Sequence, residues 1–211
     1  MDLSERVVIN SHELDWQGSR ADGVRRKPFE QENAESGRAT SIVEFMPGAS
    51  FPQHIHGMGE EILVLEGVFS DETGDYPVGT YFRNPPGSKH SPSSKEGCKL
   101  FVKLEQFKAG DNKTVKIETK NAAMQPGLGN LQVLSLHEHE GEHTALVWWP
   151  AGEKFQAHRH WGGEEIFVIE GEFIDEFGRY PAGSWIRNPH LSEHFPFVEQ
   201  DTLILVKVGH L

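Results

Sequence analysis

The stretch from His54 to His90, HIHGMGEEILVLEGVFSDETGDYPVGTYFRNPPGSKH, recurs without a gap from His158 to His194 as HRHWGGEEIFVIEGEFIDEFGRYPAGSWIRNPHLSEH. More than half of the paired positions are identical, all at a constant offset of 104. The same offset carries Gly48 onto Gly152, Phe51 onto Phe155 and Lys103 onto Lys207. Self-similarity over such a length marks a duplicated fold unit rather than a local motif. The 211 residues therefore read as two homologous domains of about 100 residues each, an ordinary domain size. Between the copies lies KAGDNKTVKIETKNAAMQPGLGN, polar and Gly/Pro-bearing toward its end, which places the boundary near Gly110 and the domains at 1–110 and 111–211.

Within each copy the local signals are those of strands. Glu61-Ile62-Leu63-Val64-Leu65 and Glu165-Ile166-Phe167-Val168-Ile169 are short, apolar and partly β-branched, and each run closes at a Glu-Gly ending in Gly67 or Gly171. Asp71-Glu72-Thr73-Gly74 and Asp175-Glu176-Phe177-Gly178 read as hairpin loops. Further runs at 41–45, 80–83, 100–104, 143–149, 184–187 and 203–208 complete an all-β pattern. The central strands are apolar on both faces, so the outer face is expected to be covered, by ordinary sandwich packing or by contact between the domains or with a homodimer partner.

Composition excludes several classes. A formal net charge of −12 repels a phosphate backbone, and the longest basic run is Arg25-Arg26-Lys27, so no nucleic-acid partner is expected. No stretch approaches the roughly 18 to 20 apolar residues of a membrane span, and the first residues lack the pattern of a signal peptide. The protein is expected to be cytoplasmic, without a membrane association. One cysteine, Cys98, rules out an internal disulfide and a Cys-based zinc finger within the chain. Any metal must be held by histidines and carboxylates.

Those residues are placed for it. Residues i and i+2 of a strand share a face, so His54 and His56 present two imidazoles to one side, as do His158 and His160. Glu60 and Glu164 follow four residues later, and His90 and His194 close the two sets. Glu61 and Glu165 compete for the carboxylate role, but in a regular strand Glu60 and Glu164 share a face with Ile62 and Ile166 while their neighbours point away. Three neutral nitrogen donors and one oxygen donor suit a divalent ion, about one per domain: zinc first, with iron, manganese, nickel or cobalt as alternatives. Each filled site keeps about one positive charge and favours a small anionic or enolate ligand.

The spacing G-x5-HxH-x3-E-x6-G, carried by Gly48, His54, His56, Glu60 and Gly67 and again by Gly152, His158, His160, Glu164 and Gly171, resembles the first cupin motif. Pro77-Val78-Gly79 through His90 and Pro181-Ala182-Gly183 through His194 resemble the second. The wording is similar to the ChrR-type cupin, the C-terminal domain of a zinc-containing anti-sigma factor. The resemblance covers nearly the whole chain, twice, and implies two tandem jelly-roll β-barrels, a bicupin. The anti-sigma factors bind sigma through a separate helical domain with a His/Cys zinc motif, and this sequence has neither that domain nor a second cysteine, so sigma inhibition is not carried over.

Two functions are then expected. One is a zinc-binding sensing or regulatory module with a protein partner. The other is a mononuclear metal enzyme, an Fe(II) dioxygenase acting on a diketone or enolate-like small molecule, as some similar cupins are. No catalytic residue is assigned. His137, His139 and His143 lie in an acidic stretch without counterparts in the first copy and read as a solvated loop, and Cys98 reads as a buried small residue. Arg83-Asn84-Pro85 and Arg187-Asn188-Pro189 stand beside the ligand turns, either as second-layer support or as turn formers. The second pocket carries Arg159, Trp161, His190 and Phe195 where the first has Ile55, Gly57, Pro86 and Ser91, which implies a bulkier entrance.

Overall fold

The computed structural model describes residues 2–33 and 36–211. Regular structure is almost wholly antiparallel strand; among the described residues the helical elements are the 3-10 turns Ser11–Glu13 and Thr119–Asn121. The fold is all-β, two repeats of jelly-roll type.

In the first unit the main sheet runs Val115–Glu118, Thr80–Asn84, Glu60–Asp71, Cys98–Leu104, Ala39–Phe45, Val24–Gln31 and Gln17–Gly18, and Gly74–Pro77 folds back on Glu60–Asp71. In the second, the order is Val7–Asn10, Ser184–Asn188, Glu164–Glu170, Thr202–Val208, Glu142–Trp149, Gln132–His139 and Gln125–Pro126. Alternation sends Ile62, Val64, Leu100 and Val102 into one core with Phe45, Phe69 and Phe82. Ile166, Val168 and Ile204 join Trp149, Phe173 and Ile186 in the other. Leu63, Phe101, Phe167 and Leu205, of opposite parity, are buried as well, so the central strands are covered on both faces.

A bulge interrupts the central ladder at equivalent places, between Lys99 and Leu100 and opposite the step from Val168 to Glu170. Immediately beyond it stand the last glycines of the repeated motif. Gly67 has φ +70 and Gly171 φ +80, and a Cβ on either would collide with a backbone carbonyl, of Gly97 or of Asp201. Both the left-handed backbone and the close approach demand glycine.

Packing divides the chain differently from the repeat. One compact unit is Leu14–Ala122; the other joins Asp2–Glu13 to Ala123–Leu211. The cause lies in the ladders. Val7–Asn10 pairs with Ser184–Asn188, setting Val7 opposite Arg187, and Val115–Glu118 pairs with Thr80–Asn84, setting Val115 opposite Arg83. Each repeat is thus preceded by a strand that completes the edge of the other repeat's sheet, and edge backbone groups that would stand open find partners. The division expected at 110/111 is that of the repeat and does not contain this exchange. No helix among the described residues is long and apolar enough to cross a membrane.

Candidate metal centres

Each centre is assembled from one short ladder and the start of the central strand. The two-residue strand His54–Ile55 pairs with Lys89–His90, with His54 directly opposite His90, and His158–Arg159 pairs with Glu193–His194 with His158 opposite His194. The second histidine of each pair leans toward the start of the central strand, where Glu60 or Glu164 begins the run. His54, His56, Glu60 and His90 thereby bring one candidate ligand atom each to within 4.8 Å of one another, and so do His158, His160, Glu164 and His194. In each set three members are buried and the first histidine is half-buried.

Ring orientation is fixed from behind. The His54 Nδ1 faces the Pro52 carbonyl at 3.1 Å and the His158 Nδ1 faces that of Gln156 at 3.0 Å, which makes both Nδ1 atoms donors. The Ser88 hydroxyl donates to the Pro85 carbonyl at 2.5 Å, so it accepts from the His56 Nδ1 at 3.0 Å. His90 and His194 turn their Nδ1 atoms to Asp71 and Asp175, each at 3.5 Å. The Nε2 lone pairs then point inward, the tautomer a metal ligand needs.

The interior of each set is short of protons. His54 and His56 bring their Nε2 atoms to 3.2 Å from each other, and a Glu60 oxygen lies 3.2 Å from the latter. The Nε2 atoms of His90, His160 and His194 are buried without a hydrogen bond. Lone pairs turned on one another in a buried space call for a cation among them, so the residues present fit a divalent ion. Burial also drives the His56 imidazole down to about 3, reinforced by His90 and His54, so that it is neutral and able to donate. Burial pushes the Glu60 carboxyl up to about 7, against the hydrogen bond from Asn84. His194 differs: burial depresses it, but the Asp175 hydrogen bond and Glu164 outweigh that and raise it.

Glu61 and Glu165 point elsewhere. Glu61 accepts from the Tyr81 hydroxyl at 2.6 Å, and Glu165 accepts from the Trp185 indole at 3.2 Å and lies 2.8 Å from the His210 Nε2. Of the Arg-Asn-Pro turns, the asparagines reach the centres: Asn84 donates to Glu60 at 3.1 Å and Asn188 to Glu164 at 2.9 Å. Arg83 instead binds Asp111 at 2.8 Å. His137, His139 and His143 do not form the solvated loop expected of them. They lie on the strands Gln132–His139 and Glu142–Trp149, His137 is buried, and His143 meets the Ser135 hydroxyl at 3.0 Å. The two strands pair across the tight turn Glu140-Gly141, both at positive φ, so the acidic stretch closes a hairpin.

Sequence reasoning passed over Asp71 and Asp175, reading them as turn residues. Each does hold its turn: Asp71 accepts from the Thr73 N–H at 2.7 Å and Asp175 from the Phe177 N–H at 2.8 Å. Each also accepts from a tyrosine hydroxyl, of Tyr76 at 2.9 Å and Tyr180 at 2.6 Å, while its other oxygen faces the third histidine. Their recurrence at the repeat offset was the available signal.

Next to the first centre opens a cavity of about 580 Å³, lined by His54, His56, Glu60 and His90 and by apolar walls that include Val43, Phe45 and Val102. A chamber of this size suits a small organic molecule. At the mouth of the second centre Trp161 is exposed and packs edge-on against His190, with ring centroids 5.7 Å apart.

The description "ChrR Cupin-like domain" attaches to a family model that matches residues 4–108 and again 112–211. No curated protein sequence matches the chain significantly. Among solved structures, a candidate dioxygenase from Nostoc punctiforme is similar at 15% identity and a TM-score of 0.83, over 97% of this chain and 82% of that one. The pirin YhhW of Escherichia coli, solved with nickel(II), matches at 14% identity and a TM-score of 0.74, over 97% and 98%. Oxalate decarboxylase of Bacillus subtilis, described with Mn(II) centres, matches at 14% and 0.67, over 96% and 76%. At these identities the likeness is one of fold.

Proposed function

The chain belongs to the ChrR cupin-like family, in two copies, and from that premise we propose that it is a metal-dependent enzyme whose first centre takes a small enolisable or anionic molecule. The observation that carries the reading is the cavity of about 580 Å³ whose wall is made by the first ligand set. A closed tetrahedral zinc site of purely structural kind needs no such chamber, whereas an ion with further coordination positions needs somewhere to receive a substrate. An ion held there supplies Lewis-acid polarisation of a bound oxygen.

The protein's own part is positional. His54, His56, Glu60 and His90 offer four donors, and Asn84, Ser88 and Asp71 hold three of them in orientation. Three neutral imidazoles and one carboxylate leave a net positive centre, which selects for an anion or enolate. Phe45, Phe51, Val43 and Val102 form the apolar part of the chamber's wall, against which the body of such a molecule can pack.

Elemental analysis of the protein purified without added metal, followed by dioxygen uptake on adding a β-diketone to anaerobically iron-loaded protein, tests the proposal. About two ions per chain, loss of about one in each of His56→Ala and His160→Ala, and uptake abolished only by the former are expected. Two tightly held zinc ions and no uptake after exchange for iron would overturn it in favour of the regulatory module.

A further inference from the structure

The ladders set the inner wall of the first barrel in ranks. Across the strands Glu60–Asp71, Cys98–Leu104, Ala39–Phe45 and Val24–Gln31, the ligand residue Glu60 stands in line with Leu104, Ala39 and Gln31. Two residues along, Ile62 lines up with Val102, Ser41 and Pro28, and two further along Val64 lines up with Leu100, Val43 and Arg26. Ile62, Val64, Leu100 and Val102 belong to the inner core, so the ranks face inward. Every member but Val64 lines the cavity beside the first centre.

The uncharged polar side chains of these ranks are those of Ser41 and Gln31. Ser41 is only 6% exposed and its hydroxyl has no hydrogen bond to a described residue; Gln31 is half-buried, and its carboxamide has none either. The charged groups at the cavity have other roles: Glu60 is a candidate ligand, Glu105 is exposed, and Arg20 and Arg26 each have an interaction of their own. A buried hydroxyl that a bound molecule covers without pairing is costly, so such a wall discriminates by what it can pair. Ser41 and Gln31 can each donate and accept, which suits an uncharged oxygen. Strands lie about 4.8 Å apart, so Ser41 stands about 10 Å across the wall from Ile62, the next inward residue after Glu60. The second barrel differs at both places. Ala145 follows Ser41 at the repeat offset and belongs to an apolar core, and Glu138 stands opposite His143 where Gln31 stands opposite Ala39.

We propose that the first barrel selects a molecule with two oxygen-bearing ends. An enolisable or anionic group turns toward His54, His56, Glu60 and His90, and an uncharged hydroxyl or carbonyl at the far end shares hydrogen bonds with the Ser41 hydroxyl and the Gln31 carboxamide. The body between them packs on Val43, Leu100 and Val102, and a ring substituted at opposite ends fits the separation. This assignment rests on the reading that a small molecule enters the first barrel, and adds the class of that molecule and the residues that select it.

Calorimetric titration of the metal-bearing protein with 1-phenyl-1,3-butanedione and with its analogue carrying a para-hydroxyl on the ring tests it. Wild type should bind the hydroxylated compound about tenfold more tightly, the difference between a hydrogen bond made and one left unmade. Ser41→Ala, which installs the side chain that the second unit carries there, should lose most of that preference, and Gln31→Leu part of it, while neither weakens binding of the unsubstituted compound. Metal content and thermal midpoint at the wild-type values show that centre and fold are intact. Should Ser41→Ala lose either, Gln31→Leu, at its half-buried position, decides. Equal affinity of wild type for the two compounds, or a preference that survives in both variants, would overturn the assignment. Firm binding of the unsubstituted diketone in that case leaves the metal-enzyme reading standing; where neither compound binds, that reading falls with the assignment.

Discussion

Asn84 lies directly across the ladder from Glu60, and its Nδ2 donates at 3.1 Å to the same Glu60 oxygen that stands 3.2 Å from the His56 Nε2. Asn188 and Glu164 repeat the relation at 2.9 Å. The amide holds the carboxylate at the angle at which it meets the imidazoles, and it supplies a donor to a charge that burial disfavours. Asn84→Ala should weaken ion binding at the first centre about 10- to 100-fold and leave the second unchanged, with Asn188→Ala showing the converse. Competition against a chromophoric chelator measures both affinities; equal retention in the two variants would remove the asparagines from the centres.

Arg6 gives the second centre a support that the first obtains otherwise. From the residue just before the exchanged edge strand its guanidinium donates to Asn188 at 2.9 Å, Asp175 at 3.0 Å and the Tyr180 hydroxyl at 2.7 Å. Asp175 in turn faces His194, and burial, which works against its charge, is outweighed by the hydrogen bonds from His194 and Tyr180. Arg6→Ala should therefore lower metal affinity at the second centre by about tenfold while the first keeps its ion. The loss of ions from both centres alike would show a global effect on folding instead.

Much of this was legible because a duplication reports on itself. His54, His56, Glu60 and His90 could be read from the offset, and strand parity separated Glu60 from Glu61 before any coordinates. What escaped depended on partners distant in the chain. Arg6 acts across 169 residues on Asp175, and no local pattern distinguishes the edge strands Val7–Asn10 and Val115–Glu118 as belonging to the opposite repeat. Arg26 stands in the basic triplet Arg25-Arg26-Lys27, and only the register with Val43 places it on the inner face of its strand. Asp71 and Asp175 were hidden by doing two things at once, closing a turn and facing a histidine.

Gly67 and Gly48 offer a test of why the repeated motif ends as it does. Both have positive φ, but a Cβ at Gly48 meets nothing within 4 Å, whereas one at Gly67 runs into the Gly97 carbonyl. Gly48→Ala should cost about 1 to 2 kcal/mol, the left-handed backbone alone. Gly67→Ala adds an overpacking cost and should reach about 3 kcal/mol or more. Denaturant unfolding of the two variants gives the comparison, and equal losses would mean that the strand shifts to admit the methyl group.

Cys98 sets a limit on the alkaline side. It is 4% exposed, in the core with Phe45 and Leu100, and burial pushes its thiol up to about 11 from a usual value of 9.0. The folded protein therefore keeps the proton over a range in which the unfolded chain releases it. Stability contributed by the neutral thiol is complete below pH 9 and is lost as pH rises toward 11, by on the order of 2 kcal/mol. Wild type should lose that much more stability than Cys98→Ala between pH 8 and the alkaline end of this window, measured by urea unfolding, because the tyrosines and lysines that also titrate are common to both. The same burial makes the thiol inert at neutral pH, so a disulfide reagent should modify it only at the rate at which the first unit opens. Fast labelling of the native protein would place Cys98 at an accessible surface and contradict both expectations.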